Sequence, residues 1–179
     1  MESGQKTEKK IWFAMRATYR REMIAKRALE ERQVESFVPM CYELKVQGGR
    51  RRRALVPAIH NLIFVYCEPK RLQAVKTSLP YLQYIIRKGG EKIVVPDDQM
   101  QRFIAVTNTY DEELTFYNPE ELNLSVGQRV RVLAGNCEGQ EGILIKVPGR
   151  RTRRVVVAIE GVMAVALATI RPDQLEVIG

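Results

Sequence analysis

Histidine and cysteine are scarce in this chain, with one His and three Cys among 179 residues. Cys41, Cys67 and Cys137 are odd in number and far apart, and no Cys-x-x-Cys spacing occurs. Neither a disulfide framework nor a zinc site is indicated, and a reducing compartment fits. The lone His60 sits in an apolar segment. Acidic residues cluster only as Asp97-Asp98, Asp111-Glu112-Glu113 and Glu120-Glu121. The first pair reads as a helix start, where carboxylates favour the dipole. The others lie in a connecting stretch. With no nucleophile–base pair, Walker loop or metal-ligand spacing, the expectation is a protein that is not an enzyme and uses no cofactor or metal. No apolar run approaches the length of a membrane span. The polar opening MESGQKTEKK lacks the apolar centre of a signal peptide. A soluble, cytoplasmic monomer without a membrane partner is expected.

Basic residues are plentiful. The net charge is +8 and the pI about 9.6, which points to an anionic partner, nucleic acid before membrane. The charge is uneven. Residues 1–106 carry 21 Lys/Arg against 11 Asp/Glu, residues 107–123 five acids and no base, and residues 124–179 eight bases against five acids. An acidic stretch therefore separates two basic modules.

The N-terminal module reads β-α-β-β-α-β-α. Residues 1–9 read as a loose polar tail. Ile11–Ala17 suits a buried strand. Thr18 suits the N-cap of a helix over 19–33, with Ile24, Ala25, Ala28 and Leu29 as its apolar stripe. Phe37–Val46 reads as a strand leading to a Gly48–Arg53 loop, and Leu55–Tyr66 as its return. Arg71–Leu79 reads as a short helix, Leu82–Arg87 and Ile93–Val95 as strands, and Asp97 as the cap of a last helix reaching about Val106. This describes an α+β sandwich of an antiparallel sheet and helices over 10–106. Residues 107–123 read as a linker. From 124 to 179, five short strands (128–133, 142–147, 153–159, 162–168, 174–178) between glycine turns suggest a small all-β barrel. Ala158–Ala168 is apolar on both sides of any strand, which leaves a helical reading open.

Val126, Gly127, Val130, Arg131, Val132, Gly135, Gly139 and Gly142 carry the pattern V-G-x-x-V-R-V-x-x-G-x-x-x-G-x-x-G, which resembles a KOW motif of SH3-like barrels. Ile11-Trp12-Phe13, the basic helix, Phe37-Val38-Pro39, Gly48–Arg53, Ile59–Val65, Leu79–Ile86 and Val95-Pro96-Asp97 resemble the N-terminal domain of NusG transcription factors. Together the two likenesses cover nearly the whole chain. Two departures, His60-Asn61-Leu62 for the usual Pro-Gly-Tyr and Pro80-Tyr81-Leu82 for Pro-Gly-Val, favour a specialised member such as the RfaH-like or UpxY-type antiterminators of polysaccharide operons.

The resemblance implies a clamp-binding elongation or antitermination factor that suppresses pausing or termination. Its groove would hold the RNA polymerase clamp helices on Ile59, Leu62, Phe64, Tyr84 and Ile86. Alternation puts Leu62 and Phe64 on one strand face, and the same residues also read as core. Arg16, Arg20, Arg21, Arg50, Arg51, Arg52 and Arg53 are the candidates for non-template DNA or nascent RNA. The helix cations also read as a solvated, ion-paired face. Four consecutive arginines with only Glu43 nearby favour phosphate. Lys146, Arg150, Arg151, Arg153 and Arg154 either meet RNA or keep the barrel soluble. In the family the KOW partner can be a ribosomal protein, Rho or RNA. Two other readings remain: a KOW-containing RNA-binding or ribosome-associated protein without polymerase contact, and a nucleic-acid-modifying enzyme.

Overall fold

The computed structural model describes residues 8–179, so most of the tail expected at 1–9 lies outside the described residues. Two compact units are present. One takes the chain up to Val38 together with His60–Asp97, and the other takes Pro39–Ile59 together with Asp98–Gly179.

The chain runs through β1 (Ile11–Ala17), α1 (Glu22–Glu31), β2 (Glu35–Phe37), β3 (Met40–Gln47), β4 (Arg50–Pro57), β5 (Leu62–Cys67), α2 (Pro69–Ser78), β6 (Leu82–Tyr84), β7 (Val94–Val95) and α3 (Asp97–Thr107). In the first unit the sheet order is β2-β5-β1-β6, with β7 also on β1. Every pairing is antiparallel. The register sets two faces. Trp12, Ala14, Leu62 and Phe64 share one, and Phe13, Met15, Ile63, Val65 and Tyr84 share the other. Both sets are buried except the partly exposed Tyr84. A strand covered on both faces needs a continuous apolar run, as Ile11–Ala17 and Leu62–Cys67 supply. Helix α2 lies on the Tyr84 face, since Lys76 reaches over that ring at 4.1 Å. Arg71 donates to the Arg32 carbonyl oxygen at 2.8 Å and so ties α2 to the end of α1.

Three expectations shift. Helix α1 begins at Glu22, not Tyr19, because Tyr19 and Arg20 adopt φ of 60° and 54°, a left-handed conformation that cannot open an α-helix. Ile24, expected in the apolar stripe, is exposed, and Glu22, Ala25 and Leu29 are the buried positions. The expected strand at 37–46 divides into β2 and β3 around Val38-Pro39, where proline has no N–H for a ladder. The return strand divides into β4 and β5 at Ala58–Asn61, and Asn61 has φ 67°.

In the second unit, β3 and β4 form a separate two-stranded sheet. The C-terminal chain adds β8 (Thr115–Tyr117), β9 (Gln128–Val132), β10 (Glu141–Lys146), β11 (Arg153–Ile159), β12 (Met163–Ala166) and β13 (Leu175–Val177). The pairing order is β13-β9-β10-β11-β12-β8. All five strands expected from residue 124 onward are present, and Ala158–Ala168 is strand and turn, not helix. The six strands of this sheet pair along an open path that ends on β13 and β8, consistent with the expected KOW-type module. Residues read as linker contribute a strand, because β8 pairs Thr115–Tyr117 against Ala166–Ala164.

The glycines of the KOW-like pattern divide by physical role. Gly135 and Gly139 have φ of 89° and 82°, conformations that side chains disfavour. At Gly142 an added Cβ would lie 2.6 Å from the Val156 carbonyl oxygen and 2.7 Å from Val155 Cγ1. The nearest obstacle is backbone, so Gly142→Ala must push β10 from β11. We expect a loss of about 1–3 kcal/mol, read as a lower midpoint in urea denaturation followed by circular dichroism.

Candidate nucleic-acid interface

The turn between β1 and α1 carries exposed Tyr19, Arg20 and Arg21, with exposed Arg16 just before it. Tyr19 is 85% exposed. The Arg21 guanidinium lies 5.7 Å from the Tyr19 ring and 5.4 Å from that of Tyr81. Both distances are within the range of cation–π attraction. Asn61 fixes the turn. Its Oδ1 accepts from the Arg20 backbone N–H at 2.7 Å, its carbonyl accepts from Ala17 N–H at 2.8 Å, and its N–H donates to Glu22 Oε2 at 3.3 Å. Glu22 is buried, with His60 Nδ1 3.9 Å from its other oxygen. Thr18, expected as a helix cap, instead donates to the Tyr81 carbonyl oxygen at 3.3 Å.

A left-handed Tyr-Arg pair costs roughly 1–2 kcal/mol per residue, and the Asn61 bonds offset that cost. Asn61→Ala should lose both the Oδ1 acceptor and a residue type that tolerates positive φ. We expect about 1–3 kcal/mol of destabilisation and faster exchange of the Arg20 amide in hydrogen-exchange NMR. Wild-type protection of that amide in the variant would contradict the lock.

Arg50–Arg53 do not form a loop. Gly48 and Gly49, at φ 59° and 73°, make the two-residue turn favoured by hairpins, and β4 starts at Arg50. Strand alternation then separates the four arginines. Gln47↔Arg50, Lys45↔Arg52 and Glu43↔Ala54 lie on one face. Val46↔Arg51, Leu44↔Arg53 and Tyr42↔Leu55 lie on the other. Arg53 is already engaged: its guanidinium sits 4.5 Å over the Tyr42 ring and pairs with Glu112. Glu43 is therefore not its relevant acid. Arg50, Arg52 and Lys45 form the polar, cationic face.

The apolar groove candidates do not converge. Leu62 and Phe64 are buried, Phe64 to 0% exposure, so neither stands on an open face. Tyr84 pairs with Met15 and lies on the opposite side of the sheet from both. Lys76 and Lys92 approach its ring at 4.1 and 4.2 Å. Burial, and then the charge of Lys92, lower the Lys76 pKa below the usual lysine range. Ile86 is 50% exposed. Ile59 belongs to the second unit, where it lines a cavity with Phe116, Tyr117 and Met163.

The C-terminal cations also divide. Lys146 and Arg153 are exposed cross-strand partners, and Arg151 is exposed on the turn between them. Arg150 donates to Thr115 Oγ1 at 3.0 Å. Arg154 is buried and reaches Glu113 Oε2 and the Leu167 carbonyl oxygen, each at 3.5 Å. It ties the acidic stretch to the sheet and is unavailable to RNA. An adjoining network centres on Glu141, which accepts from Arg129 and Arg131 at 2.9 Å each. Those bonds hold its carboxyl below the usual range, Arg131 having the largest effect.

Sequence reasoning passed over Tyr19, Tyr81 and Asn61. The available signal was Asn61 itself, a residue enriched at positive φ, in the segment His60-Asn61-Leu62. Among the described residues no group of three or more His, Cys, Asp or Glu could hold a metal, and no helix is long and apolar enough to cross a membrane.

Fold and surface define a two-unit α+β protein with exposed cationic and aromatic side chains. Residues 10–104 match the family model described as transcription termination factor nusG, and the chain belongs to the NusG family. Members of that family are non-enzymatic factors of transcription elongation and termination that generally bind RNA polymerase. A solved structure of Thermotoga maritima NusG, described by its domain interaction, matches at 21% identity and TM-score 0.45, covering 96% of this chain and 98% of that one. No curated protein matches the chain.

Proposed function

We propose that this chain is an operon-specific elongation and antitermination factor that binds the polymerase clamp and contacts a single strand of the transcription bubble. The observation that carries this reading is the Tyr19–Arg21 turn. An exposed ring, a guanidinium within cation–π reach of it and two further arginines suit bases and phosphates of an unpaired strand, because stacking and charge need no fixed sequence. The turn is held by Asn61, at one of the positions where the sequence departs from the family pattern. Preferential binding to the closed, elongating polymerase would shift its population away from paused and terminating states. Tyr84 and Ile86 are the accessible apolar candidates for the clamp contact. Lys146, Arg151 and Arg153 remain for a KOW partner, whether RNA, Rho or a ribosomal protein.

The test is single-round transcription with purified core polymerase. The expected result is a shorter pause half-life with the protein present, and loss of that effect in a Tyr19→Ala, Arg20→Ser, Arg21→Ser variant that still co-elutes with core polymerase. A protein that neither co-elutes nor alters pausing would overturn the proposal in favour of RNA binding without polymerase contact.

A further inference from the structure

Residues 42–53 of the β3–β4 hairpin are all exposed, and the two strands pair only with each other. Three cross-strand rows make one face apolar: Tyr42 with Leu55 at the base, then Leu44 with Arg53, then Val46 with Arg51 next to the turn. Leu44 is 65% and Val46 72% exposed. An exposed apolar patch rimmed by charge marks an interaction surface. Here the rim is cationic.

The base of this face shows what chemistry it accepts. Tyr110 packs edge-on against Tyr42 with ring centroids 5.9 Å apart. Two residues later, Glu112 pairs with Arg53, whose guanidinium covers the Tyr42 ring. The chain's own acidic stretch thus sets an aromatic on the aromatic and a carboxylate on the guanidinium. The outer rows repeat the pattern with Leu44, Val46 and Arg51. Among the described residues no carboxylate pairs with Arg51.

We propose that the outer half of this face docks a segment of a partner protein in which carboxylates alternate with apolar or aromatic side chains. Charge selects such a partner. The hairpin carries Lys45 and Arg50–Arg53 against Glu43 alone, so a second copy laid on the same face would set arginine against arginine. The proposal does not depend on polymerase clamp binding.

The test uses the full chain with poly(Glu,Tyr), poly(Glu) and poly(Lys,Tyr) as probes, measured by fluorescence anisotropy. Leu44→Thr combined with Val46→Thr keeps strand propensity while removing the apolar rows. The expected loss for poly(Glu,Tyr) is about tenfold, as for removal of central apolar contacts. Poly(Glu) should bind more weakly and not respond to the double variant, and poly(Lys,Tyr) should not bind. Arg51→Gln, which leaves the apolar contacts intact, should weaken both acidic probes. Equal binding of poly(Glu,Tyr) by wild type and the threonine variant would overturn the proposal. So would a response to that variant seen only with anionic phosphatidylglycerol vesicles, or only as loss of self-association in sedimentation.

Discussion

Replacing Phe64 with alanine is expected to destabilise the first unit by about 3–5 kcal/mol, the usual range for truncating a buried aromatic. Phe64 is fully buried in β5, opposite Ala14 of β1 and Phe37 of β2. The vacated volume would lie against the middle of a three-strand contact, where collapse is hard. Trp12 is the only tryptophan. It is buried in the same unit with its ring 5.0 Å from that of Tyr66, so its fluorescence in urea reports this unit directly. A wild-type midpoint would show that Phe64 contributes little to packing. Ile86→Asp is the contrasting substitution. Ile86 is half exposed, so its stability change should stay within about 0.5 kcal/mol, and any loss of core-polymerase binding would then come from the surface.

Arg50→Ser combined with Arg52→Ser should flatten the salt dependence of binding to an elongation complex. Both arginines share the cationic hairpin face with Lys45. Each phosphate contact adds about 0.7–0.9 to the slope of log K against log salt. Losing two contacts should lower the slope by about 1.4–1.8 units. Arg51→Ser should leave the slope nearly unchanged, because Arg51 lies on the apolar face with Val46. Equal effects from the two variants would mean that the faces do not divide nucleic acid from protein. An unchanged slope in the double variant would remove the hairpin from the nucleic-acid interface.

The N-terminal strands, the helix starting at Asp97 and the C-terminal strands were legible in the sequence because local chemistry determines them. A continuous apolar run such as Leu62–Cys67 must be covered on both faces, and Gly135, Gly139 and Gly142 stand where turns or close backbone approach exclude a side chain. The basic excess likewise set the expectation of an anionic partner. The tertiary structure alone decided which side chains remain free. Leu62 and Phe64 read equally as groove anchors and as core, because whether an apolar strand residue faces a groove or a core depends on what the chain lays over it. Tyr84 was grouped with them, but its side of the sheet follows from its pairing with Met15, a register that connects distant segments. Arg53 and Arg154 looked available until Glu112 and Glu113 met them from the supposed linker. Tyr19 looked helical until Asn61, 41 residues from its hydrogen-bonding partner Arg20, held the turn open. Charge, periodicity and turn chemistry act over a few residues and are written locally. Burial and pairing arise between residues far apart in the chain, so only the folded arrangement settles them.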